Sequence, residues 1–297
     1  MTTIACGQCG AELSVDGVRT ATCPYCASPN VVERPGAEDR PTAAFVVTFT
    51  GNASFAQRAL DRWLGSRTLF ADAALRHARV ENLRGVYVPA YAYSAVATTH
   101  YTATIGEDYT ETETYTDSDG KSQTRSVTRT EHRPLAGEHV GYVSDVVVSA
   151  STGLSNDELE QLEPFDLRQT RRYSPALVAG WIAEEFSRSA ADCEQLARGE
   201  TSTLIGKQLH DFMPGDSHRD LVMQTTVTWE TLDPIYVPVW MFALRYRADK
   251  PALRVAINGQ TGKIHGDVPL AWWKIALAIA FGVAIAVALY LLVLAAK

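Results

Sequence analysis

The chain has 297 residues, 46% of them hydrophobic and 21% charged, with a formal net charge of −7. Such a length and composition exclude a disordered chain and allow one large or two modest cores. Setting aside Lys274 and Lys297, which flank a terminal apolar run, leaves −9 over residues 1–273, an acidic body that phosphate backbones and anionic lipid surfaces would repel.

The first motif is C-x2-C-x13-C-x2-C, formed by Cys6, Cys9, Cys23 and Cys26. This spacing lets two short knuckles present four thiolates to one tetrahedral zinc. Gly7 and Gly10 allow the first tight turn, and Pro24 stiffens the second. Two short extended runs around Asp16 and Gly17, a common type I′ pair, complete a predicted zinc ribbon over residues 1–33. Four thiolates close the coordination shell and leave no position for water or substrate, so one structural Zn2+ is expected, and the segment should be unfolded without it. Residues 1–34 carry a net −1 and a lone aromatic, Tyr25, so neither a basic stripe nor a stacking platform for nucleic acid is present.

Residues 34–44 are rich in Pro, Gly and charge and read as a linker to an α+β body over residues 45–270. A strand is expected at Phe45–Phe49, then an amphipathic helix opened by Asn52 with Phe55, Leu60, Trp63 and Leu64 on one side, and a further helix over 71–81. Segments 83–104 and 232–257 share Tyr-Val-Pro before an aromatic-rich run. They read as duplicated strand modules or as coincidence, with Pro89 and Pro238 at strand starts or edges.

Strict alternation over residues 109–133 predicts a long polar hairpin. A loop at Ser118–Gly120 would pair Asp117 with Lys121 and Glu113 with Arg125, and would leave Thr and Ser hydroxyls on the other face. Its expected role is a solubilising protrusion or an arm for a partner. Residues 142–150 read as a buried strand, Ser155 or Asn156 as a helix cap, and Ser174–Pro175 as the start of a long helix through Leu196 that carries Cys193 as a packing residue.

Residues 275–296 run for 22 residues without a charge, roughly 33 Å as a helix, which matches the hydrocarbon core of a bilayer. Trp272, Trp273, Lys274 and Tyr290 suit the interfaces. With no charged and apolar leader at the N-terminus, residues 271–297 are expected to be a transmembrane tail anchor in the inner membrane, leaving the soluble part in the reducing cytoplasm. Ala278, Gly282 and Ala286 recur every four residues and would let two such helices approach closely as a homo-oligomer, although an Ala-rich span carries such residues anyway.

Two stretches bear on catalysis. His210, Asp211, Asp216, His218 and Asp220 cluster in sequence, but their spacing follows no helical or strand face, so a helix-to-strand loop is the better reading. Asn258–Lys263 superficially resembles a phosphate loop but lacks the required first glycine and final hydroxyl, so a hairpin turn at Asn258–Gly259 is expected. No catalytic residue and no organic-cofactor site are assigned.

The stretches CGQCG and CPYC, LRGVYVPAYAY, FDLRQTRRYSPALVAGW, MPGDSHRDL, YVPVW and INGQTGKIHGDVP together resemble a bacterial family of membrane-anchored zinc-ribbon proteins. Members carry labels such as TFIIB-type zinc ribbon or primosomal-protein-like helicase. The absence of a nucleotide-binding loop argues against the helicase label here. Some similar proteins look like envelope-stress anchors of the phage-shock type, alongside flotillin-like membrane proteins, and the Asn258–Ile264 stretch looks somewhat like the strand-turn of PepSY-type domains. The resemblance implies a non-enzymatic adaptor whose ribbon contacts an unidentified protein partner, other membrane proteins included. A membrane-tethered nucleic-acid-binding ribbon is the alternative.

Overall fold

The computed structural model describes residues 2–15, 23–26, 28, 31–34, 40–66, 70–116 and 121–295. The fold is mixed α+β, built on a large, mostly antiparallel sheet. Two compact units are distinguished: residues 1–91, 149–189 and 234–297 form the first, and 92–148 with 190–233 the second.

In the first unit, β1 (Thr2–Cys6) pairs antiparallel with both β2 (Glu12–Val15) and β3 (Val31–Arg34). The expected turn at Asp16–Gly17 lies outside the described residues, and the described partner of β2 on this side is β1. The other edge of β2 pairs with β8 (Ile182–Glu184), Leu13 opposite Glu184. β8 in turn runs parallel to the start of β5 (Arg79–Thr116), Val86 opposite Ile182. The long helix expected from Ser174 is therefore not formed. Pro175–Val178 makes one short helix, α3, and Gly180 then takes a left-handed φ of +82° that turns the chain into β8.

β4 (Phe45–Val47) adds to β9 (Ser217–Arg245) in parallel and to β7 (Thr170–Arg172) antiparallel, and β10 (Leu253–Asn258) lies between β9 and β11 (Ile264–Gly266). Helix α1 (Ala53–Gly65) is capped by Asn52, whose side chain accepts from the Phe55 N–H at 3.0 Å, as its sequence predicts. Its buried stripe of Ala56, Ala59, Leu60 and Trp63 covers Trp240, Phe242 and Leu244 of β9 and Val255 and Ile257 of β10. The helix expected over 71–81 shrinks to a 3-10 turn, Ala73–His77, because the chain is already extended in β5 from Arg79.

Phe49 stacks on Trp181 with ring centroids 4.2 Å apart, and Trp181 meets Trp240 edge-on at 5.6 Å. Gly85 makes this possible, since a Cβ there would sit 2.3 Å from the Trp181 ring. The two Tyr-Val-Pro tripeptides lie on β5 and β9, which are neighbours in the sheet, with the Tyr87 and Tyr236 rings 6.2 Å apart. Pro89 and Pro238 sit inside these strands, not at their starts. Helix α2 (Asn156–Leu162) opens with a full capping box between Ser155 and Glu158. The turn after β10 is longer than the expected two-residue hairpin: buried Asn258 accepts from the Gln260 and Thr261 N–H groups at 2.8 and 3.0 Å and carries the chain to Ile264.

In the second unit, α4 (Ala190–Phe212) buries Cys193, Ala197, Thr201, Ile205 and Leu209, one residue every fourth position. Leu209 and Met213 pack with Tyr101 and Ala103 of β5, and Leu135 and Leu221 flank them. Glu230 accepts from Tyr93 at 2.6 Å and from Arg198 at 2.7 Å. The outer parts of β5 and of its partner β6 (Ser122–Ser149) alternate exposed Thr, Glu and Arg. The expected ion pair between Arg125 and Glu113 is present at 2.9 Å, and Arg129 adds contacts to Glu111 at 2.6 Å and Glu113 at 2.5 Å. The expected loop and the Asp117 partner of Lys121 lie outside the described residues.

Helix α5 (Trp272–Ala295) ends the described chain. Its segment Trp272–Leu292, 21 residues, is long and apolar enough to cross a membrane, and none of it is buried against the rest of the protein.

Candidate metal centre

Cys6 closes β1, and the chain turns through Gly7–Cys9 before Gly10, whose φ of +78° is the left-handed conformation that favours glycine. The Gly10 N–H donates to the Cys6 carbonyl and the Cys6 N–H to the Ala11 carbonyl, both at 2.9 Å, which closes the first knuckle. The second knuckle is the turn Pro24–Cys26, held by the Cys23 N–H donating to the Ser28 carbonyl at 2.8 Å. The four expected ligands converge: Cys6 Sγ lies 3.7 Å from Cys26 Sγ, Cys9 Sγ lies 3.6 Å from Cys23 Sγ, and all four sulfurs fall within 4.8 Å of one another.

These separations are far longer than the roughly 2.05 Å of a disulfide. Four sulfurs at about 2.3 Å from a tetrahedral zinc lie roughly 3.8 Å apart, close to the spacing found. The donor set therefore fits a soft or borderline dication such as zinc. The Cys9 thiol is held well above its ordinary range by its hydrogen bond with Cys23 and by burial, and burial pushes Cys26 up to about 12. A dication is bound by thiolates, so loading the site releases protons.

The cysteine module is anchored beneath its second knuckle. The Tyr25 side chain is fully buried and donates its hydroxyl to Glu184 of β8, which also accepts from Ser151 Oγ at 2.7 Å. Burial raises the Glu184 carboxyl to about 7, with the Ser151 and Tyr25 hydrogen bonds pulling the other way. Thr152 Oγ1 donates to the Gly10 carbonyl at 2.8 Å, and Arg40, from the segment read as a linker, reaches Glu12 at 2.5 Å. Glu184 is hidden in the sequence, because its stretch reads as part of a helix from Ser174 and the structure makes it a strand. The only signal in the sequence is the pair Glu184–Glu185 set between the apolar residues Trp181–Ala183 and Phe186, and it does not say which of the two is buried.

The His/Asp loop does join a helix to a strand, from Phe212 to Ser217. It also brings His210 Nδ1 to 2.7 Å from His218 Nε2, which sequence spacing did not suggest. Asp216 accepts from the Asp108 N–H at 2.8 Å. Cys193 is buried on α4 as a packing residue.

No family model matches the sequence, and no solved structure matches it. A protein of Bacillus subtilis (strain 168) described as "Uncharacterized protein YdjG" is 25% identical over 236 residues, which cover 78% of this chain and 65% of that relative. The chain thus spans less than two thirds of the relative's length.

Proposed function

We propose that the protein is a non-enzymatic, single-pass membrane adaptor whose four-cysteine module, a zinc ribbon holding one structural zinc, presents a surface to a protein partner on the cytoplasmic side. The observation that carries this reading is the pairing, in one chain, of a closed four-sulfur site with an apolar helix none of whose span Trp272–Leu292 is buried among the described residues. A closed shell has no open position for substrate, so its use is to hold shape. The uncovered helix takes its cover from lipid, and tethering there raises the local concentration of module and partner without needing a strong interface. The acidic charge of the chain supports a protein over a nucleic-acid partner. The resemblance to envelope-stress anchors supports a role in that setting, with other membrane proteins as partners.

The test is a crosslinked pull-down of the full chain from its native membrane beside a Cys6→Ser, Cys9→Ser variant, with bound protein and nucleic acid both quantified. A defined membrane-associated protein lost from the variant is the expected result. Loss of nuclease-sensitive nucleic acid as the main species would overturn the adaptor reading in favour of a membrane-tethered nucleic-acid binder.

A further inference from the structure

His210 and His218 lie in the second unit, and their imidazoles sit side by side with facing nitrogens 2.7 Å apart and ring centroids at 4.8 Å. The surrounding chain holds them there. Leu209 and Met213, on either side of His210, are buried against Tyr101 and Ala103, and the Met213 N–H donates to the Leu209 carbonyl at 3.1 Å. The turn before His218 is pinned by the Asp216 N–H donating to the Gly106 carbonyl at 2.9 Å and by the Asp108 N–H donating to Asp216 Oδ2 at 2.8 Å. Gly215 makes that turn with a φ of +88°. Two nitrogen donors are thus preorganised on a short, fixed connection between α4 and β9.

We propose that His210 and His218 form a second metal site, which takes an imidazole-preferring first-row dication such as Zn2+ or Ni2+ through Nδ1 of His210 and Nε2 of His218. Metal–nitrogen bonds of about 2.0–2.1 Å place two such donors roughly 3 Å apart, so the pair opens by only a few tenths of an ångström to admit the ion. Two neutral rings serve without net proton release: the ring that holds the shared proton moves it to its outer nitrogen, and both facing lone pairs become available. His210 lies in the last turn of α4, where the unpaired carbonyls carry partial negative charge that favours a cation. Among the described residues, no third His, Cys, Asp or Glu completes a compact ligand group with them. Water therefore fills the remaining positions, and His210 is exposed enough to admit it. The result is an exchangeable site of nitrogen and water donors, chemically unlike the closed thiolate site of the first unit.

The experiment uses the untagged full chain in detergent, with the cysteine site loaded with zinc and excess metal removed. Ni2+ is titrated calorimetrically into the wild type, H210A and H218A, with zinc content and unfolding temperature measured for each. The expected result is one Ni2+ per wild-type chain, with an absorption-edge spectrum of nitrogen and oxygen donors only. Each variant loses that equivalent while keeping its zinc and its unfolding temperature. Absence of Ni2+ uptake by the wild type, equal uptake by the variants, or a sulfur-containing nickel shell would each overturn the proposal and leave the two rings as a hydrogen-bonded pair.

Discussion

Glu184 and Glu113 are the same residue in opposite settings. Glu113 lies on the exposed outer part of β5 between Arg125 and Arg129, whose hydrogen bonds hold its carboxyl below the ordinary range. Glu184 is buried in β8 beneath the cysteine module, receives Tyr25 and Ser151, and is nevertheless raised to about 7. Hydrogen bonds lower both groups, and the difference is desolvation, which outweighs two good donors when water is excluded. Charge pairs on the exposed strands stay open to water and screening, whereas one buried carboxylate at the root of the cysteine module joins Tyr25 of that module to the sheet.

The largest effect should come from the metal site above Glu184. Replacing Cys6 and Cys9 by serine removes metal-binding free energy on the order of 10 kcal/mol from a segment with little core of its own. Zinc content should fall to zero and amide exchange over β1 and β2 should become fast, while α1 and β10 stay protected. Next, Glu184→Ala strands the buried Tyr25 and Ser151 hydroxyls and should cost about 3–5 kcal/mol, measured by denaturant unfolding.

The same carboxylate gives a pH dependence whose sign is fixed. Its folded pKa, about 7, lies above the unfolded value of about 4.3, so between these values the folded state binds more protons. Its contribution is complete below about pH 4.3, is lost as pH rises through about 7, and amounts to on the order of 4 kcal/mol across the window. Glu184→Gln should flatten that slope, and parallel wild-type and variant profiles would show that Glu184 is not the titrating group.

A smaller loss is expected for Asn258→Ala. Its amide donates to the Leu162 and Pro164 carbonyls at 3.0 Å, and its oxygen caps the turn before β11. Leaving these groups buried and unpaired should cost about 1–3 kcal/mol, read as a shift in the unfolding midpoint. Glu113→Gln completes the series, with no resolvable change in unfolding temperature at physiological salt, since its ion pairs are open to water.

What the sequence made legible was local. Asn52 and Ser155 announce their helices through caps, the cysteines announce a four-sulfur cluster through spacing, and the last helix announces its apolar length through 22 uncharged residues. What it hid was long-range. Leu177, Val178, Trp181, Ile182 and Phe186 mimic a helical stripe, yet Ile182–Glu184 pair with Val86 and Leu13, residues far away in sequence. Helix α4 runs on to Phe212, well past the expected end at Leu196, because Gly199, Gly206 and three threonine or serine residues dilute the helical propensity of a stretch whose buried residues still recur every fourth position. The His210–His218 contact depends on one tight turn at Pro214–Gly215 and follows no period at all.

Everything proposed for the cysteine module depends on four thiolates closing around one structural ion. X-ray absorption on the purified full chain, with metal content measured on the same sample, tests it most directly. The expected result is one tightly held zinc whose shell contains four sulfurs at about 2.3 Å and no oxygen. A shell in which water or nitrogen replaces one of the sulfurs, or cysteines oxidised to disulfides with no metal bound, would contradict it.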